Sequence, residues 1–97
     1  MRNLDRNTKD NWRAFIKLCA NVRDEKELVS LFDLFLTKAE QEDIALRYNI
    51  VAELLSGGKT QREIAKEFNV SIAKVTRGSN ALRIADKKIK KIIDNIS

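Results

Sequence analysis

An all-α fold is what this sequence predicts, on three observations. It has no proline and only three glycines in 97 residues, and proline is the residue that breaks helix interiors. Its β-branched residues form no alternating run, so strands are not expected, while its apolar residues recur at helical spacing. The Thr-x-x-Glu spacing of a helix-opening capping box occurs twice, at Thr37 and Glu40 and at Thr60 and Glu63. The length fits a single domain over 1–97. It also lies near the lower end of comfortable core building, so association with a second copy would help.

The elements follow in order. Residues 1–7 are polar and expected to fray. From about Thr8 to Val22, the positions Trp12, Phe15, Ile16, Cys19 and Val22 form one stripe of an amphipathic helix. Asp24 to Glu27 is a polar break or a new helix start, with acids suited to a helix N-terminus. In Leu28 to Leu36 seven of nine residues are apolar. A helix greasy nearly all round must be covered on more than one side. A small monomer has little to cover it with, which points to a homodimer sharing one core; a buried helix within a monomer is the alternative. Thr37 then opens a helix running to about Leu55, with Ile44, Leu46, Tyr48, Ile50, Val51, Leu54 and Leu55 as its apolar positions. Gly57 and Gly58 end it, as glycine does just past a helix C-terminus. Arg47 stands out among these apolar neighbours, although a surface arginine with its stem packed down reads the same way.

Residues 60–82 read as two short helices joined by a tight turn. Thr60 and Glu63 cap the first, whose apolar face is Ile64, Ala65 and Phe68. Asn69 tolerates the left-handed conformation that ends a helix, Val70 can pack into the angle, and Ser71 caps the second helix. In that second helix Ile72, Val75, Ser79 and Leu82 share a face, with Lys74, Arg77 and Asn80 off it. Two helices, a short turn and a basic outer side describe a DNA-binding helix-turn-helix, although any αα-hairpin in a helical core shares the pattern. After Arg83-Ile84-Ala85, Asp86 is a candidate N-cap. The last helix carries Ile89, Ile92, Ile93 and Ile96 on one stripe, with Lys87, Lys88, Lys90 and Lys91 around it.

The net charge of +5 is unevenly spread. From Lys59 onward ten Lys and Arg face four Asp and Glu, whereas residues 1–58 carry nine against ten. The positive charge therefore belongs to the helix-turn-helix half, which suits a phosphate-backbone partner. A merely solvated basic surface is the alternative for the Lys-rich tail. The single cysteine, Cys19, has no internal disulfide partner and reads as a small buried hydrophobe. There is no histidine, Cys/His metal cluster, Gly-rich phosphate loop or nucleophile–base pair, so neither an enzyme nor a metal site is expected. No apolar run approaches the roughly 20 residues that span a membrane, and Met1-Arg-Asn-Leu-Asp is not a signal peptide. A cytoplasmic location is the resulting expectation.

The run Thr76-Arg77-Gly78-Ser79-Asn80, preceded by Gln61-Arg62-Glu63, resembles the tryptophan operon repressor family. The similarity extends from about Trp12 to the C-terminal helix. It includes Leu34, Leu36, Thr37, Arg47 and the Val51-x-Glu53-Leu54-Leu55 run. That family is itself a standard example of the helix-turn-helix and of water-mediated base contacts, so both points arrive with the resemblance. The resemblance implies six helices in an intertwined homodimer, with L-tryptophan as corepressor and no other cofactor. Arg47 and Arg77 would flank the indole, and Arg77 would pair with the ligand carboxylate, helped by Thr37. The carbonyls of Leu34 and Leu36 from the other chain would accept from the amino group, while Val51 and Gly78 shape the pocket. Arg62 is the candidate for guanine readout. Ile72, Ala73, Lys74 and Thr76 would approach bases or phosphates, and Gln61 and Lys66 would hold the backbone.

Residue chemistry agrees with those roles. A zwitterionic aromatic amino acid needs a cation for its carboxylate, acceptors for its ammonium and flat surfaces for its ring. The planar arginine fork binds carboxylates and stacks on rings, and the carbonyls ending the helix before Thr37 lack intrahelical partners. Four features depart from the family pattern. Ala81 stands where a serine hydroxyl is common, the turn is Asn69-Val70-Ser71, Ala65 replaces a basic residue and Lys74 a smaller polar one. A tryptophan-dependent repressor of operator DNA is the function expected. The rivals are a constitutive helix-turn-helix DNA-binding protein without an amino-acid ligand and a helical protein-interaction domain.

Overall fold

The computed structural model describes residues 7–96, and all regular structure among them is helical. Six helices follow in order: α1 (Thr8–Asn21), α2 (Glu25–Phe35), α3 (Lys38–Ser56), α4 (Gln61–Phe68), α5 (Ile72–Ile84) and α6 (Lys87–Ile96). The chain divides between Lys38 and Ala39 into two compact units. The expected fraying of residues 1–7 falls outside the described residues except at Asn7, and there it is corrected. Asn7 is the N-cap of α1, its side chain accepting from the backbone N–H of Lys9 at 3.0 Å and Asp10 at 3.4 Å. Asparagine is among the strongest N-caps because its carbonyl satisfies donors that the first turn leaves without partners.

In the first unit, α1 presents the stripe that its spacing predicts. Phe15 is its centre, 5.4 Å in an edge-on contact from Phe35, 6.4 Å from Phe32 and 5.7 Å from Trp12, between ring centroids. Cys19 is half-buried rather than fully enclosed. Asp24 resolves the ambiguity of the polar break: it caps α2 by accepting from the Lys26 N–H at 3.1 Å. Neither α1 nor α2 contains a fully buried residue. Trp12, Leu34 and Phe35 remain 61%, 76% and 52% exposed. The apolar run of α2 is thus only partly covered within one chain: Leu28, Leu31, Phe32 and Leu36 are half-buried, and Val29, Leu34 and Phe35 are exposed.

The second unit is built around Ile50, Ile64, Ala65 and Val75, with Leu46, Leu54, Phe68 and Val70 packed against them. Ile64 and Val75 lose all solvent contact, the largest favourable contribution a side chain of that size makes, about 1.5–3 kcal/mol each. They come from α4 and α5, so burial there fixes the helix-turn-helix angle. Ala65 at the crossing lets the two helices approach. The turn has the geometry its residues specify. Asn69 adopts φ 55° and ψ 50°, and the Val70 N–H donates to the Ala65 carbonyl at 2.9 Å. Ser71 accepts from the Lys74 N–H at 3.3 Å. The Thr60–Glu63 capping box is complete: the Glu63 N–H donates to Thr60 Oγ1 at 3.1 Å, and the Thr60 N–H to Glu63 Oε1 at 2.8 Å. Gly57 and Gly58 take φ 73° and 86°, ending α3 where only glycine is unstrained. Asp86 caps α6, accepting from the Lys88 N–H at 2.7 Å.

Ile72, the first residue of α5, is 47% exposed, as its place at the start of the reading helix predicts; of the residues that share its face, Val75 is buried and Ser79 and Leu82 are half-buried. On α6, Ile89, Ile92 and Ile96 are also exposed, leaving the predicted stripe without full cover in a single chain.

Candidate functional site

Within the second unit, α3 and α5 enclose a cavity of about 480 Å³. Helix α3 contributes Asp43, Leu46, Arg47, Ile50 and Val51, and α5 contributes Lys74, Arg77, Gly78 and Ala81. On each helix these positions recur at intervals of three and four, the spacing that stacks side chains on one face. The volume lies within the roughly 300–1,000 Å³ typical of small-molecule sites.

Gly78 determines how the two walls meet. A Cβ at this position would lie 3.4 Å from Ile50 Cγ2 and from Leu54 Cδ1, and 3.9 Å from Val51 Cγ2. The backbone of α5 therefore stands about one methyl group away from the apolar side chains of α3. The absent side chain leaves that volume to the cavity. Its apolar lining is Leu46, Ile50, Val51 and Ala81, while Asp43, Arg47, Lys74 and Arg77 are exposed charged residues. Three cations and one carboxylate around an apolar patch suit a ligand that is flat, apolar and anionic at one end. Guanidinium planes can pair with the carboxylate and lie against the ring.

Of the residues assigned from sequence to the ligand, Arg47, Val51, Arg77 and Gly78 line this one cavity. Leu34, Leu36 and Thr37 belong to the first unit. Leu34 is exposed; Leu36 is half-buried and closes α2, its N–H donating to the Phe32 carbonyl at 2.8 Å. Thr37 immediately precedes α3. Sequence reasoning missed Asp43, Leu46 and Ile50 as cavity residues, and placed Lys74 on the DNA side alone. Asp43 was findable: it precedes Arg47 by four residues, one helical turn along the same face.

The helix-turn-helix presents Arg62, Lys66, Ile72, Ala73 and Lys74 as exposed residues. Gln61 and Thr76 are half-buried and joined to each other, the Thr76 hydroxyl donating to Gln61 Oε1 at 2.8 Å. This bond pins the first residue of α4 to the second turn of α5. Lys59 clasps the other side of the head, 2.6 Å from Glu67 on α4 and 3.4 Å from Glu53 on α3. The hydrogen bond to Glu67, with the nearby carboxylate charges, raises the Lys59 pKa above the usual lysine value. A second hollow of about 540 Å³ contains both of these glutamates, whose charge Lys59 already engages.

Among the described residues, no group of three His, Cys, Asp or Glu side chains is placed to hold a metal ion, and no helix is long and apolar enough to cross a membrane.

Comparison with known proteins agrees with this architecture. The family model described as Trp repressor protein matches residues 10–97. A Trp operon repressor homolog of Chlamydia trachomatis serovar L2 is 48% identical over 85 residues, covering 88% of this chain and 90% of the relative. One from Chlamydia caviae is 43% identical over 89 residues, 92% of this chain and 88% of the relative. A Trp operon repressor homolog of Haemophilus influenzae is 34% identical over 77 residues, 79% and 76% of the two chains.

Proposed function

The chain belongs to the Trp repressor protein family, a family of transcriptional repressors, and we propose that it is a tryptophan-dependent one. In this reading a homodimer binds L-tryptophan in the α3–α5 cavity of each protomer and then engages operator DNA through α4 and α5. The observation that carries it is the convergence of Arg47, Arg77, Val51 and Gly78 on one apolar-floored cavity behind the reading helix. Arg77 takes the carboxylate, Arg47 and Arg77 flank the indole, and Gly78 leaves room for the ring. Thr37 assists at the carboxylate, and the Leu34 and Leu36 carbonyls of the second copy accept from the ammonium. The exposed apolar residues of α1 and α2 support the dimer, since uncovered patches of this kind mark association surfaces.

At the DNA, Arg62 reads guanine and Lys66 and Gln61 hold phosphates, while Ile72, Ala73, Lys74 and Thr76 approach the groove. Gln61 keeps its amide N–H₂ for phosphate because its oxygen is the atom that accepts from Thr76. The two reading heads of a dimer must meet successive major grooves roughly 34–36 Å apart. Tryptophan bound behind α5 favours that spacing only if it binds the DNA-competent arrangement more tightly than the others. Linkage then requires operator DNA to raise tryptophan affinity by the same factor. Function on chromosomal operators puts the protein in the cytoplasm.

A gel-shift experiment with randomised duplex, with and without L-tryptophan, tests the reading. Retardation that requires tryptophan and weakens steeply with salt, as counterion release dictates, is expected. Equal retardation without tryptophan refutes the corepressor, and no retardation at low salt refutes DNA binding.

A further inference from the structure

We propose that Asp43 is a specificity-determining residue: its carboxylate receives the ammonium group of the ligand, so the cavity selects a zwitterionic amino acid over an aromatic acid that lacks the amino group. This rests on the reading of the cavity as an amino-acid site. Donors and acceptors decide the matter. An ammonium group carries three N–H donors and no acceptor. Around the cavity, Leu46, Ile50, Val51 and Ala81 offer no polar side-chain atom, and Gly78 offers no side chain. Arg47, Lys74 and Arg77 only donate. The backbone carbonyls within α3 and α5 are turned along the helix axes into their own ladders. Asp43 is thus the one side chain lining the cavity that accepts a hydrogen bond, and it does so with a full negative charge.

Charge balance points the same way. Three cations attract any carboxylate, with or without an amino group. A single carboxylate among them penalises a bare anion and rewards a ligand with a cation of its own. It also compensates for Ala81, whose methyl group supplies no acceptor. Two carbonyls from the second copy leave one of the three ammonium donors open, and Asp43 takes it.

The test is calorimetry on the full chain with L-tryptophan and with indole-3-propionate, which has the same ring and carboxylate but no amino group. The wild-type protein is expected to prefer L-tryptophan. Asp43→Asn is expected to weaken L-tryptophan about tenfold, the range of a charge-assisted hydrogen bond at an exposed site, while leaving indole-3-propionate unchanged or tighter. Asp43→Glu, which keeps the charge, is expected to retain part of the preference. Melting curves confirm that each variant is folded, and Asp43→Ala provides a second neutral replacement. Unchanged L-tryptophan affinity in both neutral variants, or an equal loss for both ligands, overturns the proposal and leaves the amino-acid site standing. A wild-type protein that binds neither compound refutes the amino-acid site itself, and this proposal with it.

Discussion

Replacing Gly78 with alanine separates folding from ligand binding, because on the proposed reading of the cavity the two effects have opposite signs. Gly78 lies inside α5, and alanine is favoured over glycine in a helix interior by about 0.5–1 kcal/mol. The new methyl would meet Ile50 Cγ2 and Leu54 Cδ1 at 3.4 Å and Val51 Cγ2 at 3.9 Å, all apolar side-chain atoms at contact distance. The unliganded variant is therefore expected to melt about 2–8 °C higher, using the sensitivity of a domain of this size. The same methyl intrudes into the cavity that Gly78 lines. A well-packed ligand forced against an added carbon loses about 1–3 kcal/mol, or about five- to 150-fold in affinity. Melting curves with and without L-tryptophan read both effects. At 100 times the wild-type Kd the ligand stabilises the wild type by about 2.7 kcal/mol, and a tenfold weaker variant keeps about half of that. A variant less stable than wild type without ligand would refute the packing described for α3 and α5, and one with a full wild-type ligand shift would refute the placing of the ligand against Gly78.

Three further outcomes are expected. Thr60→Ala removes one half of the capping box and should lower stability by about 1 kcal/mol, measured by denaturant titration. The Glu63 carboxyl is held below its usual pKa of 4.5, first by the Thr60 backbone N–H and then by the Thr60 hydroxyl. A depressed folded pKa stabilises above the unfolded value and fades as pH falls through the folded one, so Glu63→Gln should flatten the fall in melting temperature on the acid side of pH 4.5. Arg77→Ala, at an exposed position, should leave the melting curve nearly unchanged while abolishing the calorimetric signal for L-tryptophan; an undiminished signal would remove Arg77 from the ligand site.

The helix-turn-helix was legible because its signals are local. Thr60 with Glu63, Asn69 and Ser71 each act on backbone groups within four residues, and the observed caps and left-handed turn follow from their side chains. The other helices were legible one by one from apolar spacing and caps, whereas the joining of Arg47 to Arg77 came from family likeness. No local rule brings together residues thirty positions apart. Asp43 escaped notice because a charged residue on an exposed helix face looks like ordinary solvated surface until the opposing helix is in place. Periodicity locates a face but not where the core beneath it ends: Val75 is buried while Ile72, one turn earlier on the same face, is exposed. The homodimer was inferred from excess apolar surface in Leu28 to Leu36, and that surface is visible as the exposure of Leu34 and Phe35.

The hydrogen bond from Thr76 to Gln61 bears on how a small occupant can govern a much larger partner. Because that bond and the shared burial of Ile64 and Val75 weld α4 to α5, a nudge applied to α5 swings both as a single lever. If the proposed corepressor sits in the α3–α5 cavity, it has one hinge angle to settle instead of two, and it would aim Arg62 and Lys66 by leverage, since neither lines that cavity.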